Sequence, residues 1–421
     1  MDSRLTVRTA MAKRHEIGLL LAAEDDWPTA FEAVLDRLGP VKHAGETHEF
    51  EVSRLIHEPF DLRERSDYAL VIDRLSWWYN VPREWLKKIA LMEEVYLLNN
   101  PFTFQAMEKH SAYCAMIRLG LRVPETWLVP HKLPPEDSRF ERLQERYYGE
   151  FDLDEIAGRI GYPLYMKPFD GGGWVGVTRI EDPQQLHESY DASGARLMHL
   201  QASVEDYDVF TRSLSIGPQT LVVHFDPRRE YYDRYVFARD FVATELEWEL
   251  VTLSRLVNAF FRWEFNSCEV IVKDGVTHPI DYANAAPDIA ITSLHYYFPW
   301  AIKSLLAWCI YCCVTRRRMA MHQHTQEYFE IGDDEGLSYE EKLKRFRALA
   351  DAYFAADAFE EFRGTVLTSL DEIVAEYIAS PEFDELLVRV VRSSDEPEEL
   401  QERLIVGCRE RTRAWVEDVR V

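Results

Sequence analysis

The stretch Tyr165-Met-Lys167-Pro-Phe-Asp-Gly171-Gly172-Gly173-Trp174-Val175-Gly176-Val177 decides how this chain is read. It delivers a lysine on a strand, turns through glycines and returns as a second strand through Val175, Val177 and Ile180. Glycine has no Cβ and tolerates positive φ, so backbone N–H groups at such a turn can approach an anion closely. A lysine just before the turn adds a mobile cation for the same anion. Together these residue types predict a nucleoside triphosphate site. Gly171, Gly173 and Gly176 match the spacing G-x-G-x-x-G, but the dinucleotide fingerprint needs a helix next, and strand residues follow. No Gly-Lys-Ser/Thr follows, which sets aside the P-loop. Lys167 precedes the glycines, whereas a kinase loop has its lysine on the strand after. The plain alternative is a glycine turn in an ordinary hairpin.

Working outward, the 421 residues suggest about two to three domains. With 47% hydrophobic and 29% charged residues, the composition is that of a globular protein. The net charge of −25 repels phosphate backbones, so nucleic acid is not an expected partner. The N-terminal segment, interrupted by Arg4, Arg8, Lys13 and Arg14, does not read as a secretory leader, and the six cysteines read as reduced, cytoplasmic thiols. Cys309-Ile-Tyr-Cys312 matches C-x-x-C but lies in an apolar run, Leu305 to Val314. That run is too short to span a bilayer and reads as a buried helix, so no membrane association is expected. The histidines His322 and His324 lack the helical spacing of a zinc pair.

Glu16 to Ala22 reads as a buried parallel strand, Trp27 to Leu38 as a helix, Tyr68 to Ile72 and Val95 to Leu98 as strands, and Pro82 to Ala90 and Phe104 to Leu119 as helices. This alternation predicts an open α/β sheet. Pro130 to Asp154 reads as a charged connector with a surface helix. Beyond it come a helix at Pro183 to Ser193, strands at Leu197 to Ala202, Asp208 to Ile216 and Thr220 to Phe225, and a helix at Glu245 to Phe261. Cys268 to Val272 and Val276 to Tyr282 flank Lys273-Asp-Gly275, a hairpin signal. After Leu294 the pattern is helical, in pieces at Tyr339 to Phe354, Phe359 to Ile378, Phe383 to Val391 and Pro397 to Val419.

Three features converge with the glycine loop. Glu269 and Asp281 stand on the two strands of the late hairpin, with Asn284 just beyond, and oxygen ligands on facing strands suit Mg²⁺. Asp281 lies on an apolar strand, where an acid is usually paired or ligating. Lys109 follows Asn99-Asn100-Pro101 on a helix and is a second cation for phosphates. Leu200-Gln201-Ala202-Ser203-Val204, followed by Glu205, offers strand-end backbone groups for a base edge and an acid for ribose hydroxyls.

In the order of these parts, roughly residues 15 to 300 resemble the ATP-grasp superfamily. The resemblance implies an N-terminal open α/β lobe, two α+β lobes that sandwich ATP, and a helical C-terminal extension, with boundaries at 1–130, 131–320 and 321–421. It implies that Lys109 and Lys167 contact phosphates, and that the loop of Gly171, Gly172, Gly173, Trp174 and Gly176 closes over them. It further implies that Gln201, Ala202 and Val204 take adenine, that Glu205 takes ribose, and that Glu269, Asp281 and Asn284 hold Mg²⁺. Arg212 is the arginine best placed to act with Lys167 in catalysis, with Arg228, Arg229 and Arg262 as alternatives. The reaction implied joins a carboxylate to an amine through an acyl-phosphate, releasing ADP. The substrates would be small-molecule or peptide carboxylates and amines. The family's Glu-x-Asn is replaced here by Asp281-Tyr-Ala-Asn284, and strand periodicity alone puts Asp281 and Ala283, not Asn284, on one face. A small-molecule kinase and a non-catalytic nucleotide-binding scaffold are the competing readings. The cluster Arg228-Arg229-Glu-Tyr231-Tyr232-Asp-Arg234 reads equally as an acceptor site or as a solvated loop. The C-terminal helices are candidates for dimerisation or for a protein partner.

Overall fold

A computed structural model describes residues 12–56, 58–103, 109–132, 151–284 and 286–420. Three sheets organise it. The first contains β1 (Lys13–Leu20), β2 (Val41–His43), β3 (Glu46–Arg54), β4 (Tyr68–Asp73) and β5 (Tyr96–Leu98) in the order β2-β3-β1-β4-β5. β1 runs parallel to β3 and β4, and β4 parallel to β5, while β2 folds back antiparallel on β3. Ile17, Leu19, Leu70 and Ile72 are fully buried, as strands covered on both faces by helices require.

The second sheet contains β6 (Thr126–Val129), β7 (Leu164–Pro168), β8 (Thr178–Ile180) and β9 (Met198–Ala202) in the order β6-β9-β7-β8. Its own small core, built on Leu164, Met166, Ile180, Leu186 and Leu200, lies under the helices Leu153–Ile160 and Pro183–Ser193. The latter helix starts where sequence chemistry says it should. Asp182 accepts a hydrogen bond from Gln185 N at 2.9 Å, and Pro183 occupies the first turn.

The third sheet contains β10 (Val209–Ile216), β11 (Gln219–Phe225), β12 (Tyr235–Val236), β13 (Phe265–Lys273) and β14 (Val276–Asp281) in the order β12-β11-β10-β13-β14, antiparallel throughout. Asp274 and Gly275 carry positive φ values of 51° and 71°, the turn geometry that joins β13 to β14 without splaying them. Helix Thr244–Phe261 covers one face of this sheet.

The arrangement is the mixed α/β one expected from the sequence, with a helical C-terminal region. Several expectations change in detail. The expected helix at Phe359 to Ile378 is two helices, Ala356–Val366 and Leu370–Ile378. The strands β2, β3, β6 and β12 were not foreseen. β3 carries Glu46, Glu49, Glu51 and Arg54 among nine residues, and that charge hides its apolar alternation. β6, at the end of the expected first domain, pairs with β9 of the second sheet, in register from Thr126↔Gln201 to Val129↔Met198. Of the helix expected at Phe104 to Leu119, His110–Arg118 is described, and residues 104–108 lie outside the described residues. Most of the expected connector, residues 133–150, also lies outside them.

The C-terminal helices share the main core with the rest. Phe346, Phe354, Phe359 and Leu387 belong to the same buried cluster as Ile17, Phe265 and Trp308. Helix Phe298–Thr315 runs through that cluster with Cys309, Cys312 and Cys313 buried, and burial pushes the Cys313 thiol up to about 12. The segment Ile291–Thr315 has the length and apolarity of a membrane span, yet 83% of its most apolar window is buried inside the protein.

Candidate active site

Strand register assembles the charged centre. Arg212 of β10 lies opposite Glu269 of β13, and Glu269 lies opposite Asp281 of β14. Residues directly opposite on neighbouring strands point to the same side, so the three side chains form one rung across the sheet. Arg212 Nη2 stands 3.6 Å from Glu269 Oε1. Its Nη1 donates to the Tyr235 hydroxyl at 2.9 Å, and its Nε is buried with no hydrogen-bond partner among the described residues. Burial pushes the Glu269 carboxyl above the usual range, and the neighbouring Asp281 charge adds to this, while Arg212 opposes both.

The two lysines approach from the other side of the same space. Lys167 on β7 is buried, donates to the Ile280 carbonyl at 3.1 Å and sits 5.6 Å from the Tyr113 ring centre. Burial pulls its ammonium down to about 8, against the attraction of Asp281. Lys109 precedes the helix His110–Arg118 as its cap residue rather than standing inside it. Its backbone N donates to Phe169 O at 2.8 Å, its Nζ donates to the Gly171 carbonyl, and the same Nζ lies 3.3 Å from Asp281 Oδ2. Behind the lysines, His199 Nε2 is 3.1 Å from His110 Nδ1. Burial, with His110 and the lysines, pulls His199 down to about 3, so it stays neutral.

Between β7 and β8 the glycine loop turns through positive φ at Gly171, Gly173, Trp174 and Gly176. A Cβ on Gly176 would come within 2.8 Å of Arg196 and 3.1 Å of Pro168. Trp174 and Val175 stand at the tip, 39% and 68% exposed.

A cavity of about 760 Å³ joins these parts. Its walls include Lys109, Lys167, Gly171, Gly172, Gly173, Trp174, Gln201, Ala202, Val204, Glu205, Arg212, Glu269, Asp281 and Asn284. Gly176, at the return of the loop, is not part of the wall. Asn284 reaches it because β14 ends at Asp281, which frees the chain from strand alternation. Its backbone N donates to Asn266 Oδ1 at 2.7 Å. Gln201 is held by a hydrogen bond from Nε2 to Thr126 Oγ1 at 2.7 Å. Glu205 accepts from Ser203 Oγ and, at 2.8 Å, from Arg179 Nη2; these partners hold its carboxyl below the usual range. Of the alternative arginines, Arg228 lines the cavity, whereas Arg229 and Arg262 do not. Arg262 instead donates to the carbonyls of Ala259, His322 and Gln323.

Trp77, Trp78 and Asp288 also line the cavity and were not singled out from the sequence. One signal was available. Trp77 and Trp78 follow the carboxyl end of β4, and open α/β sheets place ligands there.

Oxygen donors from Glu269, Asp281 and Asn284 on one cavity wall fit a hard divalent cation. Among the described residues no group of three His, Cys, Asp or Glu side chains forms a closed metal cage.

No protein-family model matches the chain. Over 152 residues it is 27% identical to the D-alanine–D-alanine ligase of Clostridium botulinum, an alignment covering 33% of this chain and 50% of that enzyme. The chain thus spans about half the length of the curated relatives it matches. Two of the similar solved structures are as follows. A RimK-domain ATP-grasp protein from Sphaerobacter thermophilus has 14% identity and a TM-score of 0.47, over 65% of this chain and 92% of that one. The D-alanine–D-alanine ligase of Bacillus anthracis, complexed with ATP, has 15% identity and a TM-score of 0.49, over 72% and 98%. The curated sequence relatives that it matches are named D-alanine–D-alanine ligases.

Proposed function

We propose that the chain is an ATP-dependent ligase that activates a carboxylate as an acyl-phosphate and joins it to an amine. One observation carries the reading. Two lysines, one arginine and two carboxylates from three separate parts of the chain converge on one cavity beneath a glycine hairpin. The relatives' names as D-alanine–D-alanine ligases support the reaction class.

In this reading Lys109 and Lys167 neutralise the phosphate chain of ATP, and the loop from Gly171 to Gly173 supplies backbone donors. Gln201, Ala202 and Val204 line the base, and Glu205 faces the ribose hydroxyls once it exchanges Arg179 for them. Bound between Glu269, Asp281 and Asn284, Mg²⁺ would draw off negative charge as phosphate oxygens separate. The substrate carboxylate oxygen takes the γ-phosphoryl group, the bond to the β-phosphate oxygen breaks and ADP leaves. The amine then attacks the carbonyl carbon, the C–O bond to phosphate breaks, and the amine's proton is lost. Arg212 stabilises negative charge in both steps, at the transferred group and at the tetrahedral oxyanion. Such chemistry needs positioning and charge neutralisation rather than a side-chain nucleophile. Trp174 at the loop tip would help exclude water that otherwise hydrolyses the acyl-phosphate.

The test is ADP release over pools of carboxylates and amines, with Lys167→Ala as the blank and the joined product identified by mass. ADP with a stable phosphorylated product and no amine requirement would indicate a kinase. ATP binding without any ADP would indicate a scaffold.

A further inference from the structure

The nucleotide side of the cavity leaves one wall unused. That wall is formed by Trp77 and Trp78 after β4, by Tyr231, and by Asp288 beyond β14. A chain of hydrogen bonds holds the Trp77 and Asp288 segments side by side. Trp77 Nε1 donates to the Arg74 carbonyl at 2.9 Å, and Arg74 Nη1 donates to the Pro287 carbonyl at 2.8 Å, next to Asp288. Arg74 is fixed in turn beneath the aromatic faces of Trp27 and Phe265, 5.9 and 5.4 Å away.

Asp288 lines the same cavity as Arg212, Glu269 and Asp281. Its charge is the largest influence raising the Tyr231 hydroxyl, and it acts on Arg212 and Tyr235 as well. Among the described residues Asp288 has no ion-pair partner; its Oδ1 accepts only from the Ala290 backbone N, at 3.0 Å. On the Arg212 side the buried Nε is a donor without an acceptor among the described residues. One cavity therefore holds a carboxylate with no ion-pair partner among the described residues and a guanidinium whose Nε has no acceptor among them. In the same cavity the Trp77 and Trp78 rings lie 4.9 Å apart, and Trp78 is 58% exposed. Aromatic walls of this kind gain most when a flat apolar group covers them.

We propose, resting on the ligase reading above, that the carboxylate substrate is an α-amino acid with an aromatic side chain. Its carboxylate faces Arg212, its ammonium faces Asp288, and its ring packs on Trp77 and Trp78, which are specificity-determining residues.

The test traps the acyl-phosphate with hydroxylamine, so the natural amine need not be known. The acyl-phosphate and hydroxylamine give a hydroxamate and free phosphate. Full-length protein with Mg²⁺ and ATP is assayed on DL-phenylalanine, DL-alanine and 3-phenylpropanoate. Phenylalanine should exceed alanine by about tenfold or more in kcat/KM, the scale of a well-filled apolar subsite. It should exceed 3-phenylpropanoate, which lacks the ammonium, by a similar factor. Trp78→Ala should bring the phenylalanine-to-alanine ratio close to one while ATP affinity, measured by equilibrium dialysis, holds. Trp77→Phe, which keeps a ring in place, should retain most of the preference. Asp288→Asn should erase the preference over 3-phenylpropanoate. Equal or better use of alanine, or a preference that survives Trp78→Ala, overturns the proposal and leaves the ligase reading standing. Hydroxamate from none of a broad set of carboxylates, with ATP still bound, overturns both.

Discussion

In the proposed function, Lys167 joins phosphate binding and stability in one side chain. Its folded ammonium titrates at about 8, against an ordinary value of 10.5, because burial disfavours the charge. The unfolded chain then binds more protons between those two values, so the lysine's penalty is fully present below pH 8 and is relieved as pH rises through that window. Lys167→Met should therefore abolish ADP release yet leave the melting temperature unchanged or raised by a few degrees. A drop of more than about 2 °C, on the order of 1–2 kcal/mol in a chain of this size that melts as one unit, would contradict this account. Phosphates favour the protonated lysine, so ATP affinity should be flat below about pH 8 and fall above it, by at most about tenfold per pH unit for one group. Lys167→Arg, which does not titrate there, should flatten that limb in a pH series of binding titrations. At the acids, Asp281→Asn should reduce ADP release by about 10²- to 10³-fold, the scale of losing a placed charge at a reaction centre. Loss of less than about threefold, at saturating Mg²⁺, would remove Asp281 from the chemistry.

At the scale of elements, much of the site was legible because its parts are local. Asp274-Gly275 announces the β13–β14 hairpin, and the hairpin alone brings Glu269 and Asp281 together. The glycine loop announces β7 and β8. What could not be read is long-range register. Nothing near Arg212 says that it will face Glu269 across 57 residues rather than solvent. Nor does anything local place Trp77 beside Asp288, because the link runs through Arg74 and Pro287. Asn99, read only as part of a family signature, has a structural duty. Its Oδ1 accepts from the backbone N of Glu264 and Phe265 at 2.6 and 2.7 Å, and its Nδ2 donates to Phe265 O at 2.7 Å, fixing the start of β13 beside β5. The β10–β11 turn carries a tighter constraint. Gly217 has φ +55°, and a Cβ there would lie 2.3 Å from Trp308 Cδ2. Gly217→Ala adds strain to a clash that the fully buried indole cannot relieve. It should cost about 3 kcal/mol or more, measured by denaturant titration, among the large values reserved for overpacked or strained sites. A cost below about 1 kcal/mol would mean that the turn and Trp308 move apart freely.

At the scale of the whole molecule, the question is whether the C-terminal helices are an appendage or part of the fold. A buried carboxylate argues for the second. Glu264, at the start of β13, accepts from the Tyr96 hydroxyl of β5 at 2.5 Å, from Trp308 Nε1 at 2.8 Å and from the Tyr353 hydroxyl at 2.7 Å. Arg317 completes the network through Tyr96 OH at 2.7 Å and the Tyr353 carbonyl at 2.6 Å. One acid thus ties the first sheet, the third sheet, the central apolar helix and helix Tyr339–Phe354 into a single polar knot. A buried charge with one donor removed bears a desolvation cost that the remaining donors do not cover. Tyr353→Phe keeps the ring against Phe354 and deletes only the hydroxyl. It should destabilise the whole chain by about 1–3 kcal/mol in one cooperative transition, with fluorescence and circular dichroism melting together. Ending the chain at residue 320 removes Tyr353, Phe354 and Phe359 from the core cluster and should leave no cooperative melt at all. If instead residues 1–320 melt cooperatively and still bind ATP, the helices are dispensable to the fold and serve some other end, such as a partner surface. If Tyr353→Phe shifts only a late, separate transition, the C-terminal helices unfold as their own unit and the Glu264 network does not couple them to the three sheets.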